Sequence, residues 1–143
     1  MTLATFAIVV LRYGFDLGAI ALQESVLYLH ATVFMLGIPW TLKMDGHVRV
    51  DVIYGRLSET GQAWVNLLGH CLFLGPVAIT LFWLSLPYVR ASWRILEGSQ
   101  EVGGIPANFL LKTLIPVMCV LLFLQGVAGV IRAYRVIRSG SAS

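Results

Sequence analysis

The sequence has 143 residues, of which 58% are hydrophobic and 12% are charged. Soluble domains usually carry roughly 25% charged and about 45 to 50% apolar residues, so this composition excludes an ordinary soluble protein. The net charge is +3, but the Lys and Arg residues are scattered between apolar segments, so nucleic acid is not an expected partner. The length allows one domain, placed at residues 1–138 and followed by a short polar cytoplasmic tail at 139–143.

Four apolar segments predict transmembrane helices, because about 20 helical residues are needed to cross the hydrocarbon core. The first, at about residues 1–22, contains Arg12 and Asp16, which are four residues apart and could form an ion pair on one helix face. The other three are long enough alone and lie at about residues 25–42, 62–86 and 108–133. The sequence therefore predicts an all-α membrane protein with four transmembrane helices.

The opening segment has two interpretations, a signal peptide or a first transmembrane helix. It lacks a basic N-terminal region, and its small-residue stretch Ala19-Ile20-Ala21 is followed by more apolar sequence. We therefore favour a helix. Its inner half is short, which suggests that the natural chain begins further upstream.

Lys and Arg residues in short loops predict the orientation, because they are enriched on the cytoplasmic side. With one helix before Arg12, the loop after the second span and the C-terminal tail lie on the same side. That side holds six of these residues and the other holds four, which places both termini in the cytoplasm. The six are Lys43, Arg49, Arg56, Arg132, Arg135 and Arg138, and the four are Arg12, Arg90, Arg94 and Lys112.

The loop between the second and third spans alternates polar and apolar residues from His47 to Val52, which by itself is typical of a half-buried strand. A single strand would have no partner there. A helix over about residues 48–57 would instead separate the apolar residues from Arg49 and Arg56. The sequence thus favours an interfacial helix on the cytoplasmic leaflet.

Prolines occur inside three predicted spans, as Pro39, Pro76 and Pro116, and Pro87 lies near the end of one. Membrane helices tolerate proline because neighbouring groups bond the freed carbonyl. We expect kinks at these positions rather than hinges.

Ionisable residues lie near the ends of the predicted spans or in loops, where their charge is least costly. Glu24, Glu97, Glu101 and Lys112 are examples. A self-sufficient proton-coupled exporter would need a carboxylate inside the membrane, so it is only an alternative. No Ser-His-Asp arrangement, carboxylate pair or zinc motif is evident, and we expect neither an enzyme nor a bound metal or cofactor. Cys71 and Cys119 are interpreted as membrane-core residues rather than as a disulfide or a pair of metal ligands.

His30 and His70 provide the main alternative, a haem-b membrane anchor, because two imidazoles can ligate one iron. At about 1.5 Å per helical residue, His30 lies roughly 7 Å and His70 roughly 24 Å from the outer ends of their spans. This difference in depth argues against a shared haem. Each histidine is expected instead to donate an interhelical hydrogen bond or to lie at the membrane interface.

Gln125 is the most central strongly polar side chain of the last span, and it lies beside Gly126 and Gly129. One interpretation is helix packing, with small residues letting backbones approach and an amide bridging helices, worth about 0.6 to 2 kcal/mol. The other is contact with a larger partner subunit. Both remain open at the level of the sequence.

The stretch Gly103-Gly104-Ile105-Pro106 before the last span predicts a tight turn. Asn108 follows as the expected N-cap of the next helix. As a phosphate-binding loop the stretch is weak, because it lacks the Lys and Ser or Thr that end a P-loop.

Several short motifs resemble those of a known family. Gly46-His47-Val48-Arg49-Val50-Asp51 follows the second span, and Gln23-Glu24 precedes it. The other agreements are Leu11-Arg12-Tyr13, Glu97 with Ser99, Gly103-Gly104-Ile105-Pro106, Lys112 with Ile115-Pro116, and Leu124-Gln125-Gly126. In this order they resemble the DctQ-like small membrane subunit of tripartite ATP-independent periplasmic (TRAP) transporters, from about Leu11 to Arg138.

The resemblance implies a non-catalytic four-helix subunit of the bacterial inner membrane. Such a subunit associates with a large multi-helix permease subunit that holds the sodium and substrate sites. A periplasmic solute-binding protein delivers an organic acid or similar solute. The chain would brace the large subunit among membrane lipids and offer part of the outer docking surface.

These implications lead to three groups of candidate residues. The expected partner interface comprises Arg12, Glu24, Gln125, Gly126 and Gly129. The expected cytoplasmic loop motif comprises His47, Arg49 and Asp51. The expected periplasmic surface and turn comprise Arg90, Arg94, Glu97, Glu101, Gly104, Pro106 and Lys112.

Overall fold

The computed structural model describes residues 1–44 and 54–140. These residues form helices joined by turns and loops, with no strand in the two described ranges. The helices are α1 (Thr2–Phe15), α2 (Ile20–Lys43), α3 (Glu59–Gly69), a π-helical turn (His70–Leu74), α4 (Gly75–Arg94) and α5 (Asn108–Gly140). The all-α prediction is confirmed for this part of the chain.

Three helical stretches are long and apolar enough to cross a membrane, namely Ile20–Lys43, Glu59–Arg94 and Asn108–Ser139. Each stretch contains one of the three long predicted spans and extends beyond it. Helix α1 has 14 residues, about 21 Å at 1.5 Å per residue, which is shorter than the hydrocarbon core of about 30 Å. The predicted interfacial helix at 48–57 lies mainly outside the described residues. Of the predicted tail at 139–143, residues 139 and 140 belong to α5 and the rest lie outside the described residues.

The first predicted span, residues 1–22, is wrong at its C-terminal end, because α1 stops at Phe15. Asp16 adopts a left-handed conformation with φ 54° and ψ 32°, and its N–H donates to the Leu11 carbonyl. The Leu17 N–H donates to the same carbonyl at 3.0 Å. This closes the helix as in a glycine-type C-cap. Since Asp16 has left the helix, the predicted Arg12–Asp16 ion pair is not formed in the described part of the chain.

The π-helical turn marks the position of Pro76. Proline has no N–H, and its ring crowds the carbonyl four residues earlier, which disturbs regular α-helical hydrogen bonding at this position. The chain accommodates one extra residue instead, and the Gly75 N–H donates to the His70 carbonyl five positions back. Helices α2, α4 and α5 continue through Pro39, Pro87 and Pro116.

The buried residues are mainly small, and the large apolar side chains are mainly exposed. Ala78 is 3% exposed and Cys119 is 1% exposed, whereas Phe73, Trp83 and Leu84 are 73%, 72% and 66% exposed. Close approach of helices at small residues is the usual packing mode in membranes. The large apolar side chains are thus left for lipid or for another membrane protein.

Contacts divide the chain into two compact units. The first comprises Met1–Gly37 and Ser85–Pro116, and the second comprises Ile38–Leu84 and Val117–Ser143. Each unit is described separately below. The single domain at residues 1–138 stays a prediction.

Candidate functional site

In the first unit, the loop between α4 and α5 is attached to α2 by one carboxylate. Glu24 accepts a hydrogen bond from the Ser99 hydroxyl and another, at 2.5 Å, from the Ile105 backbone N–H. The Ser99 hydroxyl also accepts from the Glu101 backbone N–H at 3.0 Å. Hydrogen bonds to a charged acceptor are stronger than neutral ones. Glu24 therefore fixes two separate points of the loop.

Gly104 is required at this site because the space beside it is filled. A Cβ atom there would lie 2.8 Å from a Glu24 carboxylate oxygen and 2.5 Å from the Ser99 Cβ. We call Glu24, Ser99, Gly104 and Ile105 the Glu24 cluster. Gly103 supplies the turn with a left-handed φ of 84°, so the predicted tight turn is confirmed.

Asn108 connects the same loop to α2 through its side chain. The amide nitrogen donates to the Gly98 carbonyl at 2.8 Å, and the amide oxygen accepts from the Tyr28 hydroxyl at 2.8 Å. Asn108 is the first residue of α5, so its prediction as the N-cap is wrong. Tyr28 was missed in the sequence, although it lies one helical turn after Glu24 and hence on the same face of α2.

Lys112 joins the start of α5 to the end of α4. Its ammonium lies 2.5 Å from a Glu97 carboxylate oxygen and 4.1 Å from the centre of the Tyr88 ring. The hydrogen bond from Lys112 holds the pKa of Glu97 below its ordinary value. Nearby, the Trp93 indole N–H donates to the Thr113 hydroxyl at 2.9 Å. These contacts hold the two helix ends together.

The structure thus places several predicted site residues in one polar network of the first unit. Glu24, Glu97, Gly104 and Lys112 contact partners within the chain, and Pro106 belongs to the turn. Four other predicted residues are exposed and make no side-chain hydrogen bond or ion pair in the described ranges; they are Arg12, Arg90, Arg94 and Glu101.

In the second unit, two glycines of α5 pack against the π-helical turn. A Cβ at Gly129 would lie 2.5 Å from the His70 Nε2 atom, and one at Gly126 would lie 2.6 Å from a Leu74 methyl carbon. His70 Nδ1 lies 2.6 Å from the Asn66 carbonyl, which can only accept, so Nδ1 donates. Packing within the chain therefore accounts for both glycines, and a partner contact at them stays a prediction.

Gln125 differs from the neighbouring glycines. Its side chain is half-buried, and its amide has no hydrogen-bond partner among residues 1–44 and 54–140. A polar amide within an apolar span gains from pairing with another helix. Gln125 therefore remains the candidate for an intermolecular contact.

A pocket of about 410 Å³, lined by both polar and apolar residues, lies in the second unit. Its lining includes Lys43, Tyr54, Asn66 and Arg132. Asn66 donates to the Tyr54 hydroxyl at 2.8 Å, so this loop residue is held against α3. Lys43 contributes the last residue of α2 to the lining.

The two histidines proposed as haem ligands have local contacts. The His30 ring lies 4.5 Å from the Phe34 ring, one turn along α2, and His70 contacts Asn66 and Gly129 as described above. No group of three or more possible metal ligands occurs within the described residues. The loop residues His47, Arg49 and Asp51 lie outside them.

Three membrane-length helices with exposed apolar faces define the chain as a multi-pass helical membrane protein. A family model for the DctQ component of tripartite ATP-independent periplasmic transporters matches residues 1–136, and the chain belongs to this family. The resemblance seen in the sequence motifs is confirmed, and members of this family are components of TRAP transporters.

One curated relative, from Haemophilus influenzae, is named "Putative TRAP transporter small permease protein". It is 32% identical over 74 residues, which cover 52% of this chain and 46% of the relative. The chain thus aligns with about half the length of that relative. No solved structure matches the chain.

Proposed function

We propose that the chain is the small, non-catalytic membrane subunit of a TRAP transporter. It braces the large permease subunit that holds the sodium and substrate sites, and it contributes to docking of a periplasmic solute-binding protein for uptake of an organic acid or similar solute. It lies in the bacterial inner membrane with both termini in the cytoplasm. Membership of the DctQ family is the observation that carries this proposal.

The polar contacts of the first unit support a scaffolding role. The carboxylates of Glu24 and Glu97 are bonded to groups of the same chain, where they hold helices and loop together. Large apolar side chains on the long helices remain exposed. A chain with this distribution offers a membrane-embedded surface to a larger partner.

Gln125 is proposed to contact the large subunit. Replacing it by Leu is expected to raise the dissociation constant of the complex roughly 3- to 30-fold, since an interhelical amide is worth about 0.6 to 2 kcal/mol. The measurement is co-purification of the tagged chain with the large permease across a detergent dilution series. Gln23→Leu is the matched control, because Gln23 is exposed at the start of α2.

Two outcomes would contradict this assignment. Equal recovery of the large permease with Gln125→Leu and with Gln23→Leu would remove Gln125 from the interface. A purified chain that transports solute on its own, with no larger partner, would overturn the proposed function as a whole.

Arg90 and Arg94 are proposed to contact the solute-binding protein. They are exposed one turn apart on α4 and carry no ion pair in the described ranges, so their charge is available to an acidic surface. Reversal of both charges to Glu is expected to raise the concentration of binding protein needed for half-maximal uptake at least several-fold, more at low salt than at high salt. Unchanged uptake in proteoliposomes would exclude them.

A further inference from the structure

The pocket of the second unit is bordered by an apolar groove. The groove has a volume of about 490 Å³ and shares Leu42, Asn66 and His70 with the pocket. We call the two together the cavity: its polar end is the pocket, which charged side chains line, and its apolar end is the groove. A ligand that fills both ends must itself be amphipathic.

Among the described residues of its lining, the polar end carries an excess of positive charge. Lys43 and Arg132 line it, both exposed, and neither forms an ion pair with any carboxylate in the described ranges. The Lys43 ammonium lies 5.1 Å from the centre of the Trp40 ring, and tryptophan is typical of the membrane interface. Glu59 supplies the acidic group of the described lining, which leaves one net positive charge.

The apolar end follows a stripe of residues four positions apart. Val65, Gly69, Phe73 and Val77 line it, from α3 through the π-helical turn into α4. Val65, Phe73 and Val77 are 48%, 73% and 55% exposed. A Cβ at Gly69 would meet no atom within 4 Å, so the glycine forms a notch. Twelve helical residues span about 18 Å, close to the roughly 15 Å of one leaflet.

We infer that this cavity binds one anionic phospholipid. The phosphodiester headgroup lies between Lys43 and Arg132, and one acyl chain follows the groove past Gly69 and Phe73. Basic pockets between membrane helices bind anionic lipid headgroups through the attraction between opposite charges. Inorganic phosphate would fill the polar end but gain nothing from the groove. The inference concerns a site within this chain and does not depend on the transporter's solute or on its binding protein.

The test uses the full chain, purified and delipidated in a mild detergent. Dioleoyl-phosphatidylglycerol and dioleoyl-phosphatidylethanolamine are titrated separately, and bound lipid is measured by native mass spectrometry. Phosphatidylglycerol is expected to bind more tightly. The double variant Lys43→Gln/Arg132→Gln is expected to bind it roughly 30-fold more weakly, because each cation near an anionic lipid is worth about fivefold in affinity.

The matched control is Arg135→Gln/Arg138→Gln, which removes the same charge from two exposed arginines of α5 that do not line the pocket. It is expected to leave affinity for phosphatidylglycerol within about twofold of the parent chain. In a second pair, Gly69→Leu fills the notch and weakens binding, whereas Gly37→Leu, placed where a Cβ meets no neighbour, does not. Circular dichroism of each variant confirms that helix content is retained.

Four results with the purified chain would overturn the inference. They are unchanged binding by the Lys43 and Arg132 variant, equal loss in the Arg135 and Arg138 control, equal affinity for the two lipids, and displacement of phosphatidylglycerol by an equal concentration of inorganic phosphate. Exclusion of the lipid when the large permease is bound would also overturn it, because the groove would then be a subunit contact.

Discussion

Replacement of Glu24 by Gln is expected to lower the free energy of unfolding by about 1.5 to 3 kcal/mol. The carboxylate accepts hydrogen bonds from the Ser99 hydroxyl and the Ile105 N–H. A neutral glutamine amide removes the charge that strengthens both bonds, and its single oxygen cannot replace the two accepting oxygens of the carboxylate. The change is measured by denaturant unfolding in detergent, followed by tryptophan fluorescence, since Trp93 lies at the adjacent end of α4.

Glu101→Gln is the matched control for this prediction. It removes the same charge from the same loop, but the Glu101 side chain is exposed and has no partner in the described ranges. Its effect should stay within about 0.5 kcal/mol. Gly104→Ala should reproduce the loss seen with Glu24→Gln, because its Cβ would displace Glu24 and Ser99. Similar stability of the Glu24 and Glu101 variants would show that the Glu24 cluster does not hold the loop.

Replacement of Gly129 by Ala is expected to destabilise the chain by about 1 to 3 kcal/mol, the usual cost of overpacking. The new methyl group would lie 2.5 to 3.0 Å from three atoms of the rigid His70 ring. Either the ring must break its hydrogen bond to the Asn66 carbonyl or α5 must move away. Thermal unfolding in detergent measures the effect.

Two further variants distinguish steric overlap from a general glycine effect. Gly37→Ala places a methyl group in open space within α2 and should be neutral or stabilising by up to about 1 kcal/mol through helix propensity. In the background His70→Ala, the cost of Gly129→Ala should largely disappear, which a double-mutant cycle measures as a coupling energy. Additive effects of the two changes would contradict the proposed contact.

The long spans were predictable because a helix in lipid must satisfy its backbone internally and needs a minimum apolar length. Their ends were less predictable, because local backbone geometry decides where a helix stops. Asp16 ends α1 in a left-handed conformation. Aspartate tolerates this conformation, but the presence of an aspartate does not predict it. The predicted boundary at residue 22 followed hydrophobicity and the four-residue spacing of Arg12 and Asp16, and it missed this cap.

The sequence predicted which residues belong to the polar network better than it predicted which of them contact each other. Motif resemblance singled out Glu24, Ser99, Gly104 and Lys112. Glu24 and the Ile105 N–H, however, are 81 positions apart in the chain, and no local pattern links them. His70 and Gly129 were each identified separately, His70 as a possible haem ligand and Gly129 as a packing residue, yet they contact each other. Such pairings depend on how the helices pack, which periodicity within one helix cannot specify.

The extra residue in His70–Leu74 changes how the long third span should be compared with other sequences. A wheel drawn at 100° per residue through the whole of Glu59–Arg94 turns every position after the insertion by about one residue relative to those before it. Apolar stripes on the two halves then fall out of phase. For a relative whose helix is regular at this position, the alignment should open a one-residue gap within His70–Leu74, so that residues on equivalent helix faces are aligned both before and after the π-helical turn.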